Sequence, residues 1–220
     1  MNLNFLPKPK AILFDWDNTL ADTWVLLKQA SEQMMAQMNI LPTPEITNKL
    51  YTHKSMREVL PEIFGNRWQE AAQIYQTTYR KLRENNLFLL PLAKEVLLFL
   101  RQNPYIHIGV VSNKIGTSLR EEVSLLQLDT FFTKLIGSQD TTHDKPSVMP
   151  VLAALEGSNI EIGQEVWLIG DSVIDIECAH NANCTPILYG NTSKSSVDYK
   201  PSLHVQNHQE FLDILHYILR

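Results

Sequence analysis

Short apolar runs that end in polar residues recur along this chain, and longer helical stretches separate them. Residues 11–14 (AILF) run into Asp15 and Asp17, residues 106–111 into Ser112 and Asn113, and residues 166–169 into Asp171 and Asp175. KLIGS (134–138) and TPILYG (185–190) supply two more such runs, and LHVQN reads as a short edge strand. Apolar runs of this length, alternating with amphipathic segments, predict an α/β protein with a doubly wound, Rossmann-like parallel sheet. In such sheets ligands lie beyond the carboxyl ends of the strands, where these polar residues fall.

The first strand is followed by a long region with helical periodicity before the sheet resumes. Val25, Leu26, Ala30, Met34 and Met38 share one face of a helix over 23–39, and Trp68, Ala72, Tyr75, Tyr79 and Leu82 do the same in a second. EITNKLY and SMREVLPEIFG predict shorter helices between them, with Pro61 limiting the latter. The spacing therefore predicts an all-helical insert over 22–87, a small bundle covering the carboxyl edge of a core made of 1–21 and 88–220. Within that core PLAKEVLLFLRQ predicts a helix, and Ser118 with Glu121 forms a capping-box pattern ahead of Val123. SVMPVLAALE is helical in part with Pro150 near its first turn. A helix over 175–182 is stopped by Asn183, QEFLDILHYIL closes the chain, and SKSSVDYKP is the most loop-like stretch.

Composition bounds the partners. At 220 residues and 44% hydrophobic, the chain can bury one core and a small subdomain. A net charge of -5 gives no general attraction to nucleic acid or anionic membrane. No apolar run approaches the roughly 18 residues of a membrane span, and MNLNFLPKPK lacks the apolar core of a signal peptide. The expectation is a cytoplasmic monomer or homodimer, with Cys178 and Cys184 as buried thiols outside any metal or disulfide pattern.

A lone Asp-x-Asp reads as a pair of turn residues closing a strand. Further polar strand ends change that, because carboxylates two apart on a strand point to one face and a carboxylate can attack phosphorus. With Asp15, Asp17 and Thr19 as a first motif, Ser112 as a second, Lys145 before Pro146 as a third, and Gly170-Asp171 with Asp175 as a fourth, the chain resembles the haloacid dehalogenase-like hydrolase superfamily. Within it the likeness is to the phosphoglycolate phosphatase-like branch, over nearly the whole chain. The helical insert is similar to that family's cap. The resemblance implies Asp15 as nucleophile and Asp17 as general acid, then base. It also implies Mg²⁺ held by Asp15, the Asp17 backbone carbonyl and Asp171, with Asp175 beside it. Ser112 and the Asn113 backbone would bind phosphoryl oxygens, Lys145 would neutralise phosphate and Asp15, and Thr19 would orient Asp17. Two positions depart from the pattern: Asn18 stands where many members have Gly, and Ala182-Asn183 replaces Ala-Gly. The second acid, Asp17, argues against carbon–halogen cleavage, since the family's dehalogenases lack it.

The implied activity is Mg²⁺-dependent hydrolysis of a small phosphorylated metabolite, phosphoglycolate-like or of broad specificity. A sugar phosphomutase and a non-catalytic phosphate-binding module use the same residues and stay open as alternatives. In the insert, THKSMRE gathers His53, Lys54, Ser55 and Arg57, of which Lys54 with His53 is expected to contact an anionic substrate. His143 reads as a loop residue, and His204, His208 and His216 as surface or packing residues.

Overall fold

Strand residues that are apolar on both faces need helices on both faces, and the computed structural model, which describes residues 3, 5–190 and 200–219, has that arrangement. In chain order the elements are β1 (Ala11–Phe14), β2 (Ala21–Asp22), α1 (Trp24–Gln37), α2 (Pro44–Leu50), α3 (Met56–Phe64), α4 (Trp68–Arg83), β3 (Phe88–Leu89), α5 (Ala93–Arg101) and β4 (His107–Ile115). There follow α6 (Gly116–Leu125), β5 (Lys134–Ser138), α7 (Met149–Leu155), β6 (Val166–Gly170), α8 (Val173–Asn181), β7 (Thr185–Tyr189), β8 (Leu203–Val205) and α9 (His208–Ile218). The main sheet runs β5-β4-β1-β6-β7-β8, with every pairing parallel.

Alternation along β1 assigns the two faces. Ile12 and Phe14 join Val110, Trp167, Ile169 and Ile187 under α5, α6 and α9, whereas Ala11 and Leu13 join Val111, Val166 and Leu168 under α7 and α8. Each large apolar side chain so buried contributes about 2 kcal/mol. β1 sits between β4 and β6, so its carboxyl end opens at the centre of the sheet.

The helical insert has a core of its own, in which Leu26, Met34 and Met38 of α1 meet Leu60 of α3 and Tyr75 and Tyr79 of α4. It leaves and rejoins the sheet domain at one place, because β2 and β3 pair antiparallel, Ala21 with Leu89 and Asp22 with Phe88. No helix among the described residues is long and apolar enough to cross a membrane.

The expected strands and helices are present, with three local corrections. Pro61 does not limit its helix: α3 continues to Phe64, because proline's fixed φ is helical and Leu60 and Phe64 are anchored in the insert's core. Ser118 and Glu121 do not cap α6, which begins two residues earlier at Gly116. A side chain at Gly116 would lie 2.2 Å from Asp140 Oδ2, so glycine lets this carboxylate settle against the helix start. The helix expected over 175–182 starts at Val173, with Ser172 as its N-cap and Asp175 completing a capping box. Asn183, at φ +51°, ends that stretch as expected, and both cysteines are buried free thiols. Residues 193–199 of the SKSSVDYKP loop lie outside the described residues.

Candidate active site

Asp15 is the last residue of the first strand's ladder, its N–H donating to the Ile169 carbonyl at 2.7 Å. The chain then turns sharply. Leu20 and Ala21 donate to the Trp16 carbonyl and Asn18 donates to Ala21, with Asn18 at φ +58°, a conformation asparagine tolerates where most residues do not. This turn sets Asp17 beside Thr23, whose hydroxyl donates to Asp17 Oδ1 at 2.6 Å. The hydroxyl beside Asp17 is thus that of Thr23 and not of Thr19, whose Oγ1 is buried without a partner among the described residues.

Three further strand ends deliver side chains to the same place. β4 changes register between Val111 and Ile115, and Ser112, Asn113 and Lys114 occupy that irregular segment. Asn113 Oδ1 accepts the Lys145 N–H at 2.9 Å, and its Nδ2 donates to the carbonyls of Lys145 and His53, 3.0 Å each. Lys145 Nζ lies 2.6 Å from both Asp15 Oδ1 and Asp175 Oδ1. Asp175 is held in turn by the Ser172 N–H at 3.1 Å and the Ser172 hydroxyl at 2.5 Å. A Cβ on Gly170 would fall 2.1 Å from Asp175 Cγ, so only glycine leaves room for that carboxylate against β6.

The electrostatics ask for one more cation. Burial pushes Asp15 up to about 6; Lys145 opposes this shift, while the charges of Asp175 and Asp17 add to it. Asp171 is raised well above the carboxylate range by burial, with Asp15 and Asp175 adding to the shift. Burial opposes the charge on Lys145, but Asp15 and Asp175 more than offset it and keep the ammonium protonated. Oxygens of Asp15, Asp171 and Asp175 all lie within 4.8 Å of one another, a hard-oxygen set that fits Mg²⁺. Asp15 and Asp171 are the better donors, because both Asp175 oxygens already accept hydrogen bonds from Lys145 and Ser172.

Sequence reasoning passed over Lys114. Its ammonium is buried and sits 2.9 Å from Asp17 Oδ1, 3.2 Å from Glu122 Oε1 and 3.0 Å from the Tyr79 hydroxyl, 4.3 Å above the Tyr79 ring. Glu122, fully buried on α6, also accepts from Trp16 Nε1 at 2.7 Å and Arg83 at 3.2 Å. The Asn-Lys pair after Ser112 was its one signal in the sequence. Of the insert's cluster, His53 and Lys54 line the cavity above the carboxylates, whereas Arg57 turns away. Arg57 forms a bidentate pair with buried Asp144, at 2.6 and 2.7 Å, and also bonds the carbonyls of Thr141 and Thr142.

Comparison with known proteins agrees with this geometry. Residues 12–189 match the haloacid dehalogenase-like hydrolase family. A phosphoglycolate phosphatase from Chromobacterium violaceum is 24% identical, covering 98% of this chain and 99% of its own. A pyrophosphatase, PpaX, from Oceanobacillus iheyensis is 30% identical, covering 79% of this chain and 80% of its own. The crystal structure of a hydrolase of the same superfamily from Ehrlichia chaffeensis is 34% identical and superposes with a TM-score of 0.69, covering 98% of this chain and all of that one.

Proposed function

Because the chain belongs to the haloacid dehalogenase-like hydrolases, we propose that it hydrolyses phosphomonoesters of small metabolites through a phosphoaspartate formed on Asp15. One observation carries this reading: Lys145, from the loop after β5, bonds the Asp15 carboxylate in the cavity that Asp17 and Ser112 also line.

Asp15 attacks phosphorus as the ester P–O bond breaks, and Asp17 gives its proton to the departing oxygen. Asp17 then takes a proton from the water that cleaves the acyl phosphate, which returns Asp15 and releases inorganic phosphate. Ser112 Oγ and the Asn113 backbone donate to the transferring phosphoryl oxygens, and Lys145 offsets their charge together with that of Asp15. Thr23 and Lys114 hold Asp17 for both proton transfers. Asp15, the Asp17 backbone carbonyl and Asp171 would hold Mg²⁺, which when bound would supply positive charge against the phosphate dianion. Asp175 is assigned to Lys145, which it fixes in place. Residues 22–87 serve as a cap over the site, with Lys54 and His53 facing the substrate's anionic end. We read the enzyme as cytoplasmic, which its free thiols accord with, and as a monomer or homodimer.

Inorganic phosphate released from 4-nitrophenyl phosphate, with and without Mg²⁺, tests the reading. Release that needs Mg²⁺ and vanishes in Asp15→Asn supports it; undiminished turnover in that variant overturns it. Transfer of phosphate between positions of a sugar without net release would select the phosphomutase instead.

A further inference from the structure

The cavity above Asp15 is lined both by the strand-end residues and by residues of the helical insert. From the helical insert, Trp24, Tyr51, Tyr75 and Tyr79 line it, alongside the polar Gln76 and Lys54. Trp24 is 43% exposed although it pairs with Tyr51, ring centroids 5.3 Å apart and planes tilted by 52°. The Tyr75 hydroxyl, also facing this space, has no hydrogen-bond partner among the described residues.

Charge placement sharpens the picture. Among the described residues, Lys54, Lys114 and Lys145 are the lysines that line the cavity, and no arginine does. Lys145 is matched by Asp15 and Asp175, and Lys114 by Asp17 and Glu122. A second anionic group on the leaving side would meet the Asp17 carboxylate beside a lysine already neutralised twice. Lys54 is exposed and has no ion-pair partner among the described residues, but it follows His53, whose carbonyl accepts from Asn113 at 3.0 Å. That contact ties the residue before Lys54 to the segment that carries Ser112 and Asn113.

Resting on the phosphatase reading, we propose that the enzyme selects phosphomonoesters whose leaving group is uncharged and carries a planar aromatic ring, with Trp24 and Tyr51 as the stacking wall. Nucleoside monophosphates and phosphorylated aromatic alcohols share this chemistry. The wall binds the ring, Tyr75 offers a hydroxyl to its polar edge, and Lys54 faces the phosphoryl dianion.

The test compares kcat/KM for adenosine 5′-monophosphate, pyridoxal 5′-phosphate, 2-phosphoglycolate and pyrophosphate, with 4-nitrophenyl phosphate as reference. The proposal expects at least one of the first two to exceed both 2-phosphoglycolate and pyrophosphate by about tenfold, in line with ring stacking. Which of the two leads tells a nucleoside from a compact aromatic alcohol. Trp24→Ala should lower kcat/KM for the preferred ester about tenfold, chiefly through KM and several times more than for 2-phosphoglycolate, and Trp24→Phe should restore most of it. Turnover of 4-nitrophenyl phosphate with 2-phosphoglycolate or pyrophosphate preferred overturns this inference alone, as does an equal loss on every substrate in Trp24→Ala. No turnover of any of the five overturns the phosphatase reading and this inference with it.

Discussion

Lys114 Nζ lies 2.9 Å from Asp17 Oδ1 and 3.0 Å from the Tyr79 hydroxyl, so one buried ammonium joins the proposed general acid to the helical insert. Lys114→Met removes that anchor while Thr23 still bonds Asp17. The expected result is a loss of about tenfold to a hundredfold in kcat for alkyl phosphates, whose leaving groups need the proton, and a much smaller loss for 4-nitrophenyl phosphate. Rates across a series of leaving groups check it. A uniform loss would mean that Lys114 only supports the fold, and Lys114→Arg should recover part of the alkyl activity.

Arg57 and Asp144 tie the insert to the residue preceding Lys145. Arg57→Ala leaves the Asp144 carboxylate buried with, among the described residues, Ser138 Oγ and the Gln139 N–H as its remaining donors, and should cost about 2 kcal/mol in urea unfolding. In a double-mutant cycle with Asp144→Asn the two losses should be strongly non-additive. Additive losses would show that the pair contributes little.

Gly170→Ala tests the packing behind Asp175. The added methyl group must displace the carboxylate that holds Lys145, so kcat should fall by about a hundredfold or more in protein that remains folded. Near wild-type turnover would show that Asp175 does not position Lys145.

His208 governs an acid-sensitive part of the stability. Burial pulls it down to about 4, against the partial support of the Pro91 and Thr19 backbone and of the Glu95 charge, and its Nδ1 sits 2.9 Å from the Tyr189 hydroxyl. The unfolded chain binds a proton near pH 6.5 that the folded chain refuses until about pH 4. Stability from this residue is therefore complete above 6.5 and declines as pH falls, by on the order of 3 kcal/mol across that window. Unfolding at pH 7 and pH 5 should show a smaller difference in His208→Gln than in wild type. An unchanged difference would assign the acid sensitivity elsewhere.

Much of this architecture is legible in the sequence because local patterns decide it. KLIGS is β5 to the residue, and the stripe from Trp68 to Leu82 is α4, since apolar period and burial agree there. The misread places are those where a distant group intervenes. Asp140 against Gly116 moves the start of α6, and a turn through Asn18 brings Thr23, in place of Thr19, to Asp17. Lys114 carries no pattern of its own, since its partners Tyr79, Glu122 and Asp17 come from three separate parts of the chain. Arg57 looked like a neighbour of Lys54, yet it lies inside α3 and pairs with Asp144 of the sheet domain, whereas Lys54, before the helix, lines the cavity.

The covalent role of Asp15 is the central claim, and trapping the intermediate tests it most directly. Asp17→Asn slows the water attack more than phosphoryl transfer from 4-nitrophenyl phosphate, whose leaving group needs no proton. Acid quenching of this variant during turnover, followed by peptide mass analysis, should find one phosphoryl group on the peptide containing Asp15 and none when Asp15→Asn is added. Phosphate release by wild type, with no phosphorylated Asp15 trapped at any quench time in the variant, would contradict the account and point to direct attack by water.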